Sequence, residues 1–182
     1  MSYHDNELRI RPIIVGDLPK LWEFIYKEKA PEWKKWDAPY FEHKHIPFDE
    51  FMWNKDHYVN HEQRWAIEVA GELIGTVSYY WEHEPSRWLE IGIGIYNPNF
   101  WSGGYGTRAI ILWINHLFNT LPLVRVGYTT WSGNERMIKV GEKIGMKMEG
   151  RLRKCRYYNG EYYDSIRMGI LREEWESSPI RI

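Results

Sequence analysis

Cysteine is almost missing from this sequence. Cys155 stands alone among 182 residues, so no internal disulfide can form and no thiolate cage for a metal can be built. That usage suits a reducing cytosol, with Cys155 expected to be packed in the core. Long apolar runs are missing too. None approaches the roughly 20 residues a membrane-spanning helix needs, and the opening MSYHDNELRIRP has no apolar signal core. A soluble, cytoplasmic protein with no membrane partner is expected. Neither sign of charge dominates, since 24 basic and 25 acidic residues are well mixed, and this leaves no footprint for nucleic acid. No repeat or linker interrupts the chain, and its length suits one domain over residues 1–182. What is plentiful is aromatic surface. The 11 Trp and 13 Tyr exceed what a core needs when each buried indole or phenol wants a hydrogen-bond partner, so some should line a cleft.

Periodicity gives the element order. LRIRP from Leu8 alternates as a strand, and Leu18, Leu21, Trp22 and Ile25 then share one helical face. The segment from Ala30 to Pro47 holds three prolines and no period, so it reads as a loop feeding a helix near Phe48 to Asn60. A hairpin turns at Gly71-Glu72, Arg87 to Ile95 is a further strand, and Ile110, Trp113, Ile114 and Leu117 form the next helical stripe. LVRVGYTT alternates again. Ser132 and Glu135 have capping-box spacing for a helix that Gly145 ends, and Asn159-Gly160 marks a closing hairpin. The order β-α-α-β-β-β-α-β-α-β-β predicts an α/β (α+β) protein with a mixed central sheet of about seven strands.

The stretch YNPNFWSGGYGTRAI, from Tyr96, carries the chemical signal. On the strand before it, Leu89, Ile91, Ile93 and Ile95 point to one face and Glu90, Gly92, Gly94 and Tyr96 to the other. Two glycines on one strand face suggest a close approach to the backbone there. Gly103, Gly104 and Gly106 let successive N–H groups converge at the start of a helix, a site that favours phosphate or pyrophosphate. A P-loop is excluded because no GK[ST] follows the glycines. A Rossmann site matches G-x-G-x-x-A but finds VGYTTW where an acid should stand.

The run from IGIYNPNFWSGGYGTRAI to VRVGYTTWSGNERMIKVGEKIGMKMEG resembles the GNAT acetyltransferases, in particular the ribosomal-protein N-terminal acetyltransferase (RimJ/RimL) type. That family joins a [Q/R]-x-x-G-x-[G/A] loop to a later N-x-x-S-x-x-x-x-E-K-x-G-[F/M] motif. Trp101 to Gly106 and Asn134 to Met146 stand at those places, with Trp101 replacing Gln or Arg, Arg108 where Glu is common, and Met137 where Ser is usual. The resemblance implies a GNAT fold with splayed central strands, acetyl-coenzyme A as cofactor, and an amine acceptor on a small molecule or peptide N-terminus. It places the pantetheine arm along Ile93, Gly94 and Ile95, and the pyrophosphate on Ser102, Gly103, Gly104, Tyr105, Gly106 and Thr107. Asn134, which would also serve as a simple helix cap, is expected to reach the pantetheine, and Arg136, Lys139 and Lys143 the phosphates.

Direct acetyl transfer needs a base for the amine and a proton for the thiolate. Glu90 is the first candidate base, on the face of Gly92 and Gly94, though the same residue would serve as an ion-pair partner. Glu68 is second. Tyr128 is the candidate proton donor and would equally serve as a core tyrosine; the last helix, where the family often has a tyrosine, carries Val140 and Gly141 instead, so a water relay stays open. His43, His45, His57 and His61 lack a convincing carboxylate set, so no metal is expected. Trp33, Trp36, Tyr40 and Phe41, with Glu32, Asp37, Glu42 and Asp49 nearby, suit a cationic acceptor and equally suit helix packing or a homodimer interface. The alternative to an enzyme is a coenzyme-A-binding regulatory module that kept the cradle and lost efficient catalysis.

Overall fold

Short-range turn chemistry sets the frame, as seen in a computed structural model that describes residues 1–180. Strands β1 (Tyr3–Asp5) and β2 (Leu8–Pro12) form a hairpin whose turn holds Asn6 at φ 53°, a left-handed value asparagine tolerates. Helices α1 (Leu18–Ile25) and α2 (Phe48–Trp53) follow, joined by an irregular strap with one 3-10 turn at Glu32–Lys35. Next come β3 (Arg64–Val69), β4 (Glu72–His83) and β5 (Trp88–Ile95), then α3 (Tyr105–Thr120) and β6 (Arg125–Trp131). The chain finishes with α4 (Glu135–Lys143), β7 (Lys147–Tyr158), β8 (Glu161–Leu171) and α5 (Arg172–Glu176).

The eight strands lie in the order β1-β2-β3-β4-β5-β6-β8-β7. All neighbours are antiparallel except β5 and β6, which are paired at a single point, Glu90 opposite Gly127. Beyond that point the two strands part, and the splay expected of the central pair is present. Strand β1 and helix α5 exceed the expected order. Three and five residues are too few to show a period.

Alternation on the strands sorts side chains into two cores. Leu89 and Ile91 pack on one face with Ile110, Trp113 and Leu117 of α3, and Tyr96 joins the other face, with Leu18, Leu21, Phe51 and Ala66 under α1 and α2. Each fully buried aliphatic side chain contributes about 1.5–3 kcal/mol relative to leaving it in water. The two fully buried indoles are satisfied: Trp113 Nε1 donates to the Ser78 carbonyl at 3.0 Å and Trp175 Nε1 to Asn115 Oδ1 at 2.9 Å.

Two local expectations are corrected. The β3–β4 hairpin turns on Ala70 and Gly71, at φ 49° and 85°, rather than on Gly71-Glu72. Helix α4 is capped by Asn134, whose Oδ1 accepts from the Met137 N–H at 3.2 Å, and not by Ser132, whose Oγ accepts from the Asp164 N–H. Gly145 at φ 93° and the Asn159-Gly160 pair at φ 50° and 79° sit where the sequence put them. Cys155 is exposed rather than packed, because β7 is an edge strand whose register against β8 breaks between Leu152 and Arg156. No helix among the described residues is long and apolar enough to cross a membrane.

Candidate functional site

A cleft of about 210 Å³ opens where β5 and β6 part. One wall is Ile91 to Ile95 with Phe100, Trp101, Gly106 and Ile110. The other is Tyr128 to Trp131 with Asn134, Arg136, Met137 and Val140, and the strap residues Trp33, Trp36, Asp37, Ala38 and Tyr40 close the mouth. Ile93, Gly94 and Ile95 thus lie in the cleft. What fills the side-chain space above Gly92 and Gly94 is the protein itself: a Cβ there would meet Ser78 Oγ at 2.9 Å and the Tyr96 ring at 2.7 Å. The strand glycines therefore make room for Ser78 and Tyr96.

The loop before α3 has the shape of an anion cradle. Gly104 is the N-cap at φ 76°, a conformation that glycine adopts without strain, and no side chain caps the helix. The first-turn N–H groups of a 16-residue helix are left for a ligand, at the positive end of its dipole. A pyrophosphate fits these donors. Of Ser102 to Thr107, Gly106 lines the cleft, while Ser102, Gly103, Gly104, Tyr105 and Thr107 lie outside its lining. The departures from the family pattern have structural uses. Trp101 Nε1 donates to the Ile95 carbonyl at 2.7 Å, which fixes the loop on β5. Arg108 holds Asp5 at 2.6 Å and Glu7 at 2.9 Å, tying the start of α3 to the β1–β2 hairpin.

On the facing wall, Arg136 stacks over Trp36 at 5.6 Å at the cleft edge, whereas Lys139 and Lys143 are exposed outside its lining. Both ends of the Asn134 amide are used: beyond the cap, its Nδ2 donates to the Trp36 carbonyl, which also accepts from Trp131 Nε1 at 2.8 Å. Tyr128, buried to 2% exposure, lines the cleft, and its hydroxyl donates to the Met137 carbonyl at 2.5 Å. Burial raises the pKa of this phenol well above its ordinary value and keeps it protonated at neutral pH.

The strap brings three of its four named aromatic residues into the cleft. Phe41 stays outside, packed edge-on against Tyr40 at 5.0 Å and 57% exposed. Trp33 Nε1 donates to the Phe24 carbonyl, so the strap is fastened at both ends. Among the acidic residues of this region, only Asp37 lines the cleft. Partial loss of solvation at the cleft wall raises its pKa, with Lys34 pulling the other way, although the residue as a whole is exposed.

Glu90 lies behind the cleft rather than in its wall. Its side chain faces a second depression with Trp88, Arg125, Glu149, Arg167 and Met168. It is 3% exposed, accepts from Thr129 Oγ1 at 2.9 Å, and is ion-paired with Arg167. Burial raises its pKa, Thr129 and Arg167 opposing. Thr129, which lines the cleft, links it to Glu90. Glu68 is far from this arrangement, held on β3 by Arg11 at 2.8 Å. Sequence reasoning missed Thr129 and Trp131, whose roles depend on the splay of β6. Among the described residues, no three His, Cys, Asp or Glu side chains gather as a metal site would need.

Residues 7–147 match the family model described as an acetyltransferase (GNAT) domain. Spermidine N(1)-acetyltransferase of Escherichia coli K12 is 30% identical over 134 residues, 71% of this chain and 72% of that one. The uncharacterized N-acetyltransferase YnaD of Bacillus subtilis is 33% identical over 103 residues, 57% of this chain and 59% of its own. Among solved structures, spermidine N-acetyltransferase from Vibrio cholerae in complex with CoA and spermine superposes with a TM-score of 0.78 at 23% identity, covering 95% of this chain and 100% of that one.

Proposed function

The chain belongs to the GNAT acetyltransferase family, and we propose that it transfers the acetyl group of acetyl-coenzyme A to the neutral nitrogen of a small-molecule primary amine by direct transfer. The observation that carries this reading is the continuity of one cleft, running from the uncapped N-terminus of α3 to an aromatic mouth with one carboxylate. Acetyl-coenzyme A supplies an acyl group activated as a thioester. The first-turn amides of α3, Ser102 to Thr107, hold its pyrophosphate, and Arg136 adds a positive charge at the cleft edge. Lys139 and Lys143, exposed on the same helix, give longer-range attraction to the phosphates. The backbone of Ile93 to Ile95, freed by the departure of β6, holds the pantetheine arm. Asn134 acts from behind, fixing Trp36 and the start of α4.

Glu90 takes up the proton that the amine sheds, through Thr129. The Thr129 hydroxyl donates to Glu90 and offers its lone pairs to a donor in the cleft, so one shift along this pair moves a proton out of the cleft. A raised Glu90 pKa makes the carboxylate a stronger proton acceptor. Tyr128, held protonated, is the donor that returns a proton on the thiol side, releasing Met137 as it does so. Trp33, Trp36 and Tyr40 form the acceptor mouth, with Phe41 outside it buttressing Tyr40. A peptide N-terminus, the acceptor of the ribosomal-protein type, presents the same nucleophile to this mouth. A reducing cytoplasm suits the exposed lone thiol of Cys155.

The test is amine-dependent release of free coenzyme A thiol. Turnover of at least one primary amine, with acetylated amine found by mass spectrometry, is expected. Binding of acetyl-coenzyme A without turnover of any amine across a broad panel would instead favour a regulatory module.

A further inference from the structure

Two charges of opposite sign flank Tyr40 at the acceptor mouth without pairing: Asp37 lines the cleft, and Arg156, outside its lining, covers the Tyr40 ring. Among the described residues, Asp37 is the one carboxylate lining the cleft. Lys34, three residues before it, donates instead to the Asp37 and Ala38 carbonyls at 2.8 and 2.9 Å, clamping a turn in which Ala38 sits at φ 44°. The carboxylate is left without an ion-pair partner among the described residues.

Arg156 arrives from the other side. The break in β7 register between Leu152 and Arg156, with Lys154 at φ 54°, carries its guanidinium over the Tyr40 ring at 4.7 Å and the Phe41 ring at 5.2 Å. The rings compensate part of its desolvation, yet no carboxylate within 4 Å of it is found among the described residues and its Nε is buried with no hydrogen-bond partner. Burial raises the pKa of the Tyr40 hydroxyl, and of the two charges Arg156 opposes that rise while Asp37 adds to it. A partly buried guanidinium without a carboxylate is costly, and a carboxylate close by that does not pair with it leaves both open to a ligand.

Resting on the acetyl-transfer reading, we infer that the acceptor is a primary amine that also carries a carboxylate, its ammonium drawn to Asp37 and its carboxylate to Arg156. The planar fork of Arg156 suits a carboxylate in two-point contact. A polycation is disfavoured at this mouth. Its second ammonium would approach Arg156 and the exposed Arg153 and Lys154 of the same strand, a like-charge arrangement that discriminates by repulsion.

The test is calorimetric titration of the coenzyme-A-bound protein with ω-amino carboxylates of increasing length, the matching alkylamines, and spermidine. One amino carboxylate is expected to bind about tenfold or more tighter than its alkylamine. Arg156→Gln should abolish that advantage, Arg156→Lys should restore part of it, and Asp37→Asn should weaken all the amines, each leaving coenzyme A affinity unchanged. Spermidine or the alkylamines binding as well as every amino carboxylate, or a preference that survives Arg156→Gln, overturns the inference. Turnover is scored separately: a carboxylate preference in binding with no acetylation of any amine upholds the recognition and sinks the enzymatic reading.

Discussion

The Tyr128 hydroxyl fills the space that a side chain at Gly141 would need. A Cβ on residue 141 would fall inside contact distance of the phenol oxygen and 2.9 Å from Met168 Cε. In this chain the tyrosine therefore comes from β6 and the vacancy from α4. Substituting Gly141→Ala should force Tyr128 off the Met137 carbonyl and cost about 1–3 kcal/mol. Urea denaturation would show a lower midpoint with an unchanged slope; an unchanged midpoint would mean that the helix shifts freely.

Tyr128→Phe removes the hydroxyl and leaves the Met137 carbonyl without this donor, for a loss of about 1 kcal/mol. If the phenol protonates the departing thiolate, kcat falls while acetyl-coenzyme A affinity holds. Since its pKa is raised, the wild-type rate should show no alkaline loss from this group up to the ordinary phenol value of 10. An equal kcat in the variant would remove Tyr128 from the chemistry.

Glu90 acts as a base only when ionised, so kcat/KM should fall as pH drops through its folded pKa. Burial places that pKa above the ordinary 4.5, and the acid limb should therefore appear at a higher pH than a solvated glutamate would give. Glu90→Gln should lower kcat by about 10²–10⁴-fold and erase that limb. A pH–rate profile flat down to 4.5 would contradict the assignment.

Asn134→Ala removes both the α4 cap and one of the two donors to the Trp36 carbonyl. The cap accounts for about 1 kcal/mol of stability. Loosening of the strap should also raise KM for the amine more than for acetyl-coenzyme A. A change confined to the coenzyme would instead favour direct contact between Asn134 and the pantetheine.

Away from the cleft, Arg11 is held by Asp17 at 2.7 and 2.9 Å and by Glu68 at 2.8 Å, and Asp17 also accepts from the Ile14 N–H. Asp17→Ala leaves a half-buried guanidinium with Glu68 alone, at a cost of about 1–3 kcal/mol by thermal or denaturant unfolding. A loss below 1 kcal/mol would show that Glu68 suffices.

Much of this was legible in the residues because it is encoded locally. Asn159-Gly160 and Gly145 act through their own backbone freedom, and the alternation from Leu89 to Ile95 sorts that strand without reference to any partner. The errors arise where tertiary packing decides. Ser132 has capping spacing, but its hydroxyl is taken by the Asp164 amide of β8. Ala70 adopts a left-handed φ that its type does not advertise, and Cys155 sits beside a bulge where alternation fails. Four acids near the strap look alike in sequence. Only the turn at Ala38 brings Asp37 into the cleft, and only the bulge in β7 lays Arg156 over the Tyr40 ring.

The most direct measurement is calorimetric titration of the protein with acetyl-coenzyme A, with desulfo-coenzyme A and NAD as controls. One saturable site per chain for both coenzyme A species, and none for NAD, is the predicted result. No heat with either coenzyme A species would contradict the cradle at α3 and, with it, the acetyl-transfer reading.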